Sequence, residues 1–119
     1  MLRIYHNPRC SKSRQALALL REAGHEPEVV KYLETPPDEA ALRRVLAKLD
    51  TPAAGLLRHN EPQFKELGLA DRGNLNQQAV IDALVAAPKL LQRPLIETDE
   101  RAFVARPPER VSELGGPRR

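Results

Sequence analysis

The sequence predicts an α/β fold, a mixed four-stranded sheet with flanking helices and a helical insert in the middle. Three observations predict it: two short apolar runs bracket a helical stretch near the N-terminus, the middle third carries only helical patterns, and two β-like runs near the C-terminus read as a hairpin. A length of 119 residues fits one domain. We place that domain at residues 1–114, with the insert at about 36–88 and residues 115–119 as a flexible tail.

Leu2 to Tyr5 is an apolar and aromatic run that fits a buried strand, and the polar stretch His6-Asn7-Pro8-Arg9 must then be a loop. The positions Ala16, Leu17, Leu19, Leu20 and Ala23 recur at helical spacing, and Gly24 stands where a left-handed cap would end the helix. Val29 to Leu33 resumes a strand, so the first third reads as β-α-β, a unit that normally makes two parallel neighbours. Thr35-Pro36-Pro37-Asp38-Glu39 supplies capping and first-turn residues for a helix over Ala41 to Leu49. Short helical pieces follow: one starts near Thr51-Pro52, and another, Gln63 to Leu67, ends at Gly68. Asn76 is placed to cap a helix over Gln77 to Ala87 with Val80, Ile81, Leu84 and Val85 on one side. Beyond Arg93-Pro94, Leu95 to Thr98 and Ala102 to Ala105 flank Asp99-Glu100-Arg101 as a hairpin whose turn lacks glycine. A last short helix spans Glu109 to Leu114. This order of elements gives a thioredoxin-like plan.

Composition narrows the function. With 41% hydrophobic and 29% charged residues the chain is globular in character, neither disordered nor membrane-embedded. Only Tyr5, Tyr32, Phe64 and Phe103 are aromatic, too few for a base-stacking surface, and the net charge of +3 is spread in alternating signs. Neither a nucleic acid nor a membrane is expected as a partner. Fourteen of the 19 basic residues are arginine, the side chain that grips oxyanions with two prongs. The one cysteine, Cys10, cannot close an internal disulfide, and no signal segment precedes it, so a cytoplasmic protein with a reduced thiol is expected. His25 and His59 lack the spacing and partners of a metal site, and no metal or bound cofactor is expected.

Cys10 sits at a strand-to-helix junction, in His6-Asn7-Pro8-Arg9-Cys10-Ser11-Lys12-Ser13-Arg14. Unpaired N–H groups and the positive end of the helix dipole favour a thiolate there. Arg9, Lys12, Arg14 and a charged His6 would act in the same direction. A lone cysteine can also be a small buried hydrophobe, but these polar and rigid neighbours are unlike a core strand. Ser13 stands where a Cys-x-x-Cys motif would carry its second thiol; its hydroxyl can hydrogen-bond the thiolate but cannot resolve a disulfide.

The loop His6-Asn7-Pro-x-Cys10-Ser-x-Ser13-Arg14 resembles the active-site loop of the glutaredoxin-coupled arsenate reductase family. The likeness continues through Tyr32-Leu33-Glu34-Thr35-Pro36-Pro37, Leu56-Leu57-Arg58, Glu66-Leu67-Gly68-Leu69 and Arg93-Pro94-Leu95-Ile96. It implies a thioredoxin-like fold and reduction of arsenate to arsenite, with glutathione as co-substrate and glutaredoxin as partner. It also implies that Cys10 is the nucleophile, His6 and Ser13 its polar neighbours, and Arg58, Arg93 and Arg106 an oxyanion clamp. Arg93-Pro94 is similar to the peptide beside the active site where thioredoxin-like folds keep a cis proline. Two other readings stand beside this one: a monothiol glutaredoxin-like oxidoreductase without arsenate activity, and a redox-responsive regulator of the Spx type. The regulators often carry a Cys-x-x-Cys switch that this chain lacks.

Overall fold

The computed structural model describes residues 1–71 and 75–115. The expected tail therefore lies, apart from Gly115, outside the described residues. Four strands, β1 (Leu2–His6), β2 (Glu28–Lys31), β3 (Leu95–Thr98) and β4 (Ala102–Val104), form one sheet in the order β2-β1-β3-β4. β1 runs parallel to β2 and antiparallel to β3, and β3 pairs antiparallel with β4. With its flanking helices this is the mixed α/β architecture that the sequence predicts.

Side-chain alternation along the strands splits the core in two. Ile4, Ile96 and Phe103 face helix α1 (Ser11–Glu22) and pack with Ala16, Leu17, Leu20 and Val111. Tyr5, Leu95 and Ala102 point the other way, into a larger cluster built by α2 (Glu39–Lys48), α4 (Gln77–Ala86) and the short elements between them. Those short elements are two 3-10 turns, Ala53–Leu56 and Leu69–Asp71, and the helix α3 (Pro62–Glu66).

Local chemistry sets the helix ends. Asp38 and Asn76 cap α2 and α4 by accepting from the N–H of Ala41 at 2.8 Å and of Ala79 at 2.9 Å. Gly24 and Gly68 take left-handed backbone (φ 89° and 72°) directly after their helices. The glycine-free hairpin turn closes through Thr98, whose Oγ1 accepts from the N–H of Glu100 at 3.2 Å and of Arg101 at 3.1 Å.

Several expectations need correction. β2 ends at Lys31 rather than Leu33, because the Lys31 carbonyl accepts from both Glu34 and Thr35 at 2.9 Å and turns the chain; Leu33 is left exposed. Val85 is exposed, not on the buried side of α4. Residue i+4 advances about 40° around a helix, which carries Val85 past Ile81 at the edge of the buried arc. β4 stops at Val104, and the last helix is a 3-10 helix, Pro108–Leu114. No helix among the described residues is long and apolar enough to cross a membrane.

Candidate active site

The loop after β1 is fixed by Asn7. Its Oδ1 accepts from the N–H of Arg9 at 3.0 Å, an Asx turn, and its carbonyl accepts from the N–H of Cys10 at 3.0 Å. Cys10 then occupies the N-cap of α1 with extended backbone and closes no side-chain capping bond, so the first-turn N–H groups remain turned toward sulfur. Half-burial works against the anion and raises the thiol pKa. The N–H of Ser13, the Arg93 guanidinium and the N–H of Lys12 outweigh it, and the net shift is below the ordinary thiol value.

Two expected contributors behave differently. Ser13 is fully buried, and its hydroxyl is engaged by groups other than the thiol: Oγ accepts from the N–H of Asn7 at 3.0 Å and shares a 2.6 Å hydrogen bond with His6 Nδ1. Ser13 therefore acts on sulfur through its backbone N–H, while its side chain ties the loop to β1. Burial lowers the His6 pKa, and Lys31, Arg21 and Arg14 lower it further, so this imidazole is neutral at neutral pH and lends Cys10 no positive charge. Arg14 donates to the Pro8 carbonyl at 2.8 Å and stiffens the same loop. The cation that acts on sulfur is Arg93, 83 positions further along the chain.

Arg93 and Arg58 arrive together through a small antiparallel bridge. Leu57 pairs with Leu91, with Arg58 N–H donating to the Leu90 carbonyl at 2.7 Å and Gln92 N–H to the Leu56 carbonyl at 2.8 Å. This sets both arginines on the wall of a cleft of about 290 Å³, lined also by Asn7, Tyr32, Glu61 and Lys89. The peptide Arg93-Pro94 is cis, as is Arg106-Pro107. Three cations against one carboxylate leave the cleft positive, since Glu61 neutralises part of Arg58 through a 3.0 Å ion pair. Arg106 is exposed, donates to Gln92 Oε1 at 3.4 Å, and is not among the residues lining the cleft.

The structure thus brings together Cys10, Arg58 and Arg93, keeps His6 and Ser13 as a buried support, and leaves Arg106 outside. Sequence reasoning passed over Asn7, Glu61, Lys89 and Tyr32 as site residues. Only Asn7 carries a local signal, the Asn-Pro turn; the others reach the cleft through tertiary packing. A larger open depression of about 570 Å³ near Met1, His25, Asp99 and Glu113 lies at the other end of β1 and holds no nucleophile. Among the described residues no cluster of three His, Cys, Asp or Glu side chains is placed to hold a metal ion.

Known proteins resemble this chain in sequence and fold. The chain is 52% identical to YfgD, an uncharacterised protein of Escherichia coli (strain K12), over 97% of both chains. It is 47% identical to an arsenate reductase of Neisseria meningitidis over 95% of this chain and 97% of that one. With the arsenate reductase of Escherichia coli (strain K12) it shares 38% identity over 93% of its own length and 78% of the other's. The solved structure of an arsenate reductase from Vibrio cholerae superposes with a TM-score of 0.86 at 42% identity, covering 94% of this chain and 95% of that one. The family model for ArsC matches residues 5–114, and the chain belongs to the ArsC family.

Proposed function

We propose that this protein is an arsenate reductase in which the Cys10 thiolate is the nucleophile and glutathione with glutaredoxin supplies the external thiols. One observation carries the reading: a thiol with a lowered pKa shares Arg93 with a positive cleft that also presents Arg58. Arsenate is largely a dianion at neutral pH, and a thiolate approaches a dianion only where cations and N–H donors neutralise the accumulating charge. The arsenate reductase names of relatives at 38% and 47% identity support the same substrate.

In this mechanism Cys10 sulfur attacks arsenic, an S–As bond forms, an As–O bond breaks, and the departing oxygen leaves as hydroxide or, with a proton, as water. Arg58 and Arg93 hold the remaining oxygens. External thiols then complete a two-electron change in which arsenic(V) becomes arsenic(III) and two thiols become one disulfide. The clamp here is Arg58 and Arg93; Arg106, beyond Gln92, contributes at longer range. A reduced thiol as the working state fits a cytoplasmic setting.

A coupled assay of the purified chain with arsenate, glutathione and glutaredoxin tests the proposal against a Cys10→Ser control. Arsenite should appear only with the wild-type chain. No arsenite with any thiol donor, together with activity on glutathione mixed disulfides, would favour the monothiol oxidoreductase instead.

A further inference from the structure

Tyr32 is fully buried, its ring belongs to the core beneath the insert, and it also lines the cleft of Arg58 and Arg93. The Arg93 guanidinium lies close enough to act on its hydroxyl, yet among the described residues that hydroxyl makes no hydrogen bond of ordinary geometry, and neither does Nε of Arg93. A buried polar group left unpaired costs about 1–3 kcal/mol, so two of them lining one cleft mark a place where an incoming group completes the bonding. The neighbouring side chains say what that group must be. Arg58 and Arg93 can only donate. The nearby acceptors are engaged, Asn7 Oδ1 by the N–H of Arg9 at 3.0 Å and Glu61 Oε2 by Arg58 at 3.0 Å. The Cys10 sulfur is near enough to act on Tyr32 but makes no hydrogen bond with it, so the O–H proton gains an acceptor when a ligand oxygen enters.

We propose that Tyr32 is a third donor to the oxyanion, giving its O–H hydrogen bond to one oxygen while Arg58 and Arg93 hold the others. The assignment rests on the oxyanion reading of the cleft above. Burial raises the Tyr32 pKa, and although Arg93 opposes that, the net shift is upward, so the phenol keeps its proton at working pH. No proton transfer is required of it. A neutral donor adds binding without more charge, which suits a cleft where three cations already face one carboxylate. A tetrahedral dianion, with lone pairs in every direction, is the ligand chemistry that can meet all three side chains at once.

The test uses the full chain, without added thiol, and follows alkylation of Cys10 at fixed pH against increasing arsenate and, separately, phosphate. Phosphate has the shape and charge of arsenate but is not reduced by thiols, so protection by it reports binding alone. In Tyr32→Phe the concentration giving half-protection should rise about tenfold for both anions, the scale of a lost hydrogen bond to a charged acceptor. The melting temperature should hold or rise slightly, because the lost hydroxyl has no partner of ordinary hydrogen-bond geometry in the protein and its removal relieves a desolvation cost. Arg58→Ala should lose protection more severely. Equal protection of wild type and Tyr32→Phe would overturn the role of Tyr32 while leaving the clamp standing. Absence of protection in the wild type would remove the clamp and Tyr32 together. A large fall in melting temperature that accompanies the weaker protection would make Tyr32 a scaffold residue and would also overturn the proposal.

Discussion

At the scale of single residues, the charge of Cys10 is set by one loop and one distant arginine. The sequence locates the loop, since a thiol just before a helical pattern must meet the free N–H groups of the first turn. Residue spacing alone does not locate Arg93 beside the sulfur, which only the family resemblance implies, because a tertiary bridge, Leu57 to Leu91, makes that juxtaposition. Nor does it show that burial leaves His6 neutral. The alkylation rate of Cys10 should therefore rise with pH to a midpoint below the free-thiol value of about 8.5 and level off above it. Arg93→Ala should move that midpoint upward, whereas Arg9→Ala should leave it in place; stopped-flow alkylation across pH reads both. Arg58→Ala and Arg93→Ala should each lower arsenate kcat/KM by about 10²-fold or more, with little change in melting temperature. Lysine at either position should recover only part, since it keeps the charge and loses the two-pronged donor. Arg106→Ala, outside the cleft, should cost much less. Unfolding that tracks the activity loss would show that the arginines hold the fold instead.

At the scale of elements, the strands and capped helices are legible because each rests on a local rule: alternation in β1 and β3, and an oxygen cap at Asp38 and Asn76. What is not legible is Glu97. In sequence it is a polar residue in a short β-like run, yet it is fully buried on the insert face of β3. It accepts from Arg3 Nη1 at 3.1 Å, Tyr5 OH at 2.8 Å, Arg44 Nε at 2.7 Å and Lys48 Nζ at 2.8 Å. Burial alone would raise its pKa, but Arg44, Lys48 and Tyr5 pull it from its ordinary 4.5 down to about 2. A depressed carboxylate contributes stability that is complete above the unfolded-state value and is lost as pH falls through the folded-state value. Stability should therefore decline between about pH 4.5 and pH 2. Glu97→Gln should destabilise the protein by about 3 kcal/mol at neutral pH, the scale of a broken buried pair, and the gap to wild type should narrow toward pH 3. Urea unfolding at both pH values measures it; a gap independent of pH would mean that packing, not charge, holds Glu97 in place.

At the scale of the whole molecule, the sheet divides two cores, and the site lies where both end. α1 brings the thiol from one face of β1, and the insert with its bridge brings Arg58 and Arg93 from the other. That division gives this chain two arginines on one cleft and, beside them, half of the thiol pair that the proposed reaction needs. The second half is absent by composition, since Cys10 is the only cysteine and Met1 the only other sulfur. Reducing arsenate takes two electrons, and thiols that supply them end as a disulfide. Ser13, at the spacing of a resolving cysteine, points its hydroxyl at His6 and Asn7 and has no redox chemistry to offer. Without added thiol the protein should therefore complete one turnover at most, and with glutathione plus glutaredoxin it should cycle. When glutaredoxin is left out, a glutathione adduct should accumulate on Cys10 and be visible by intact mass. Cys10→Ser should lose the adduct. Ser13→Ala should still form it, more slowly, because the loop loses its tie to His6 and Asn7 while the sulfur keeps Arg93 and the first-turn N–H groups. Sustained turnover with a donor that contains no thiol, or an active Cys10→Ser variant, would refute a mechanism in which one sulfur of this chain must borrow the second from its partner.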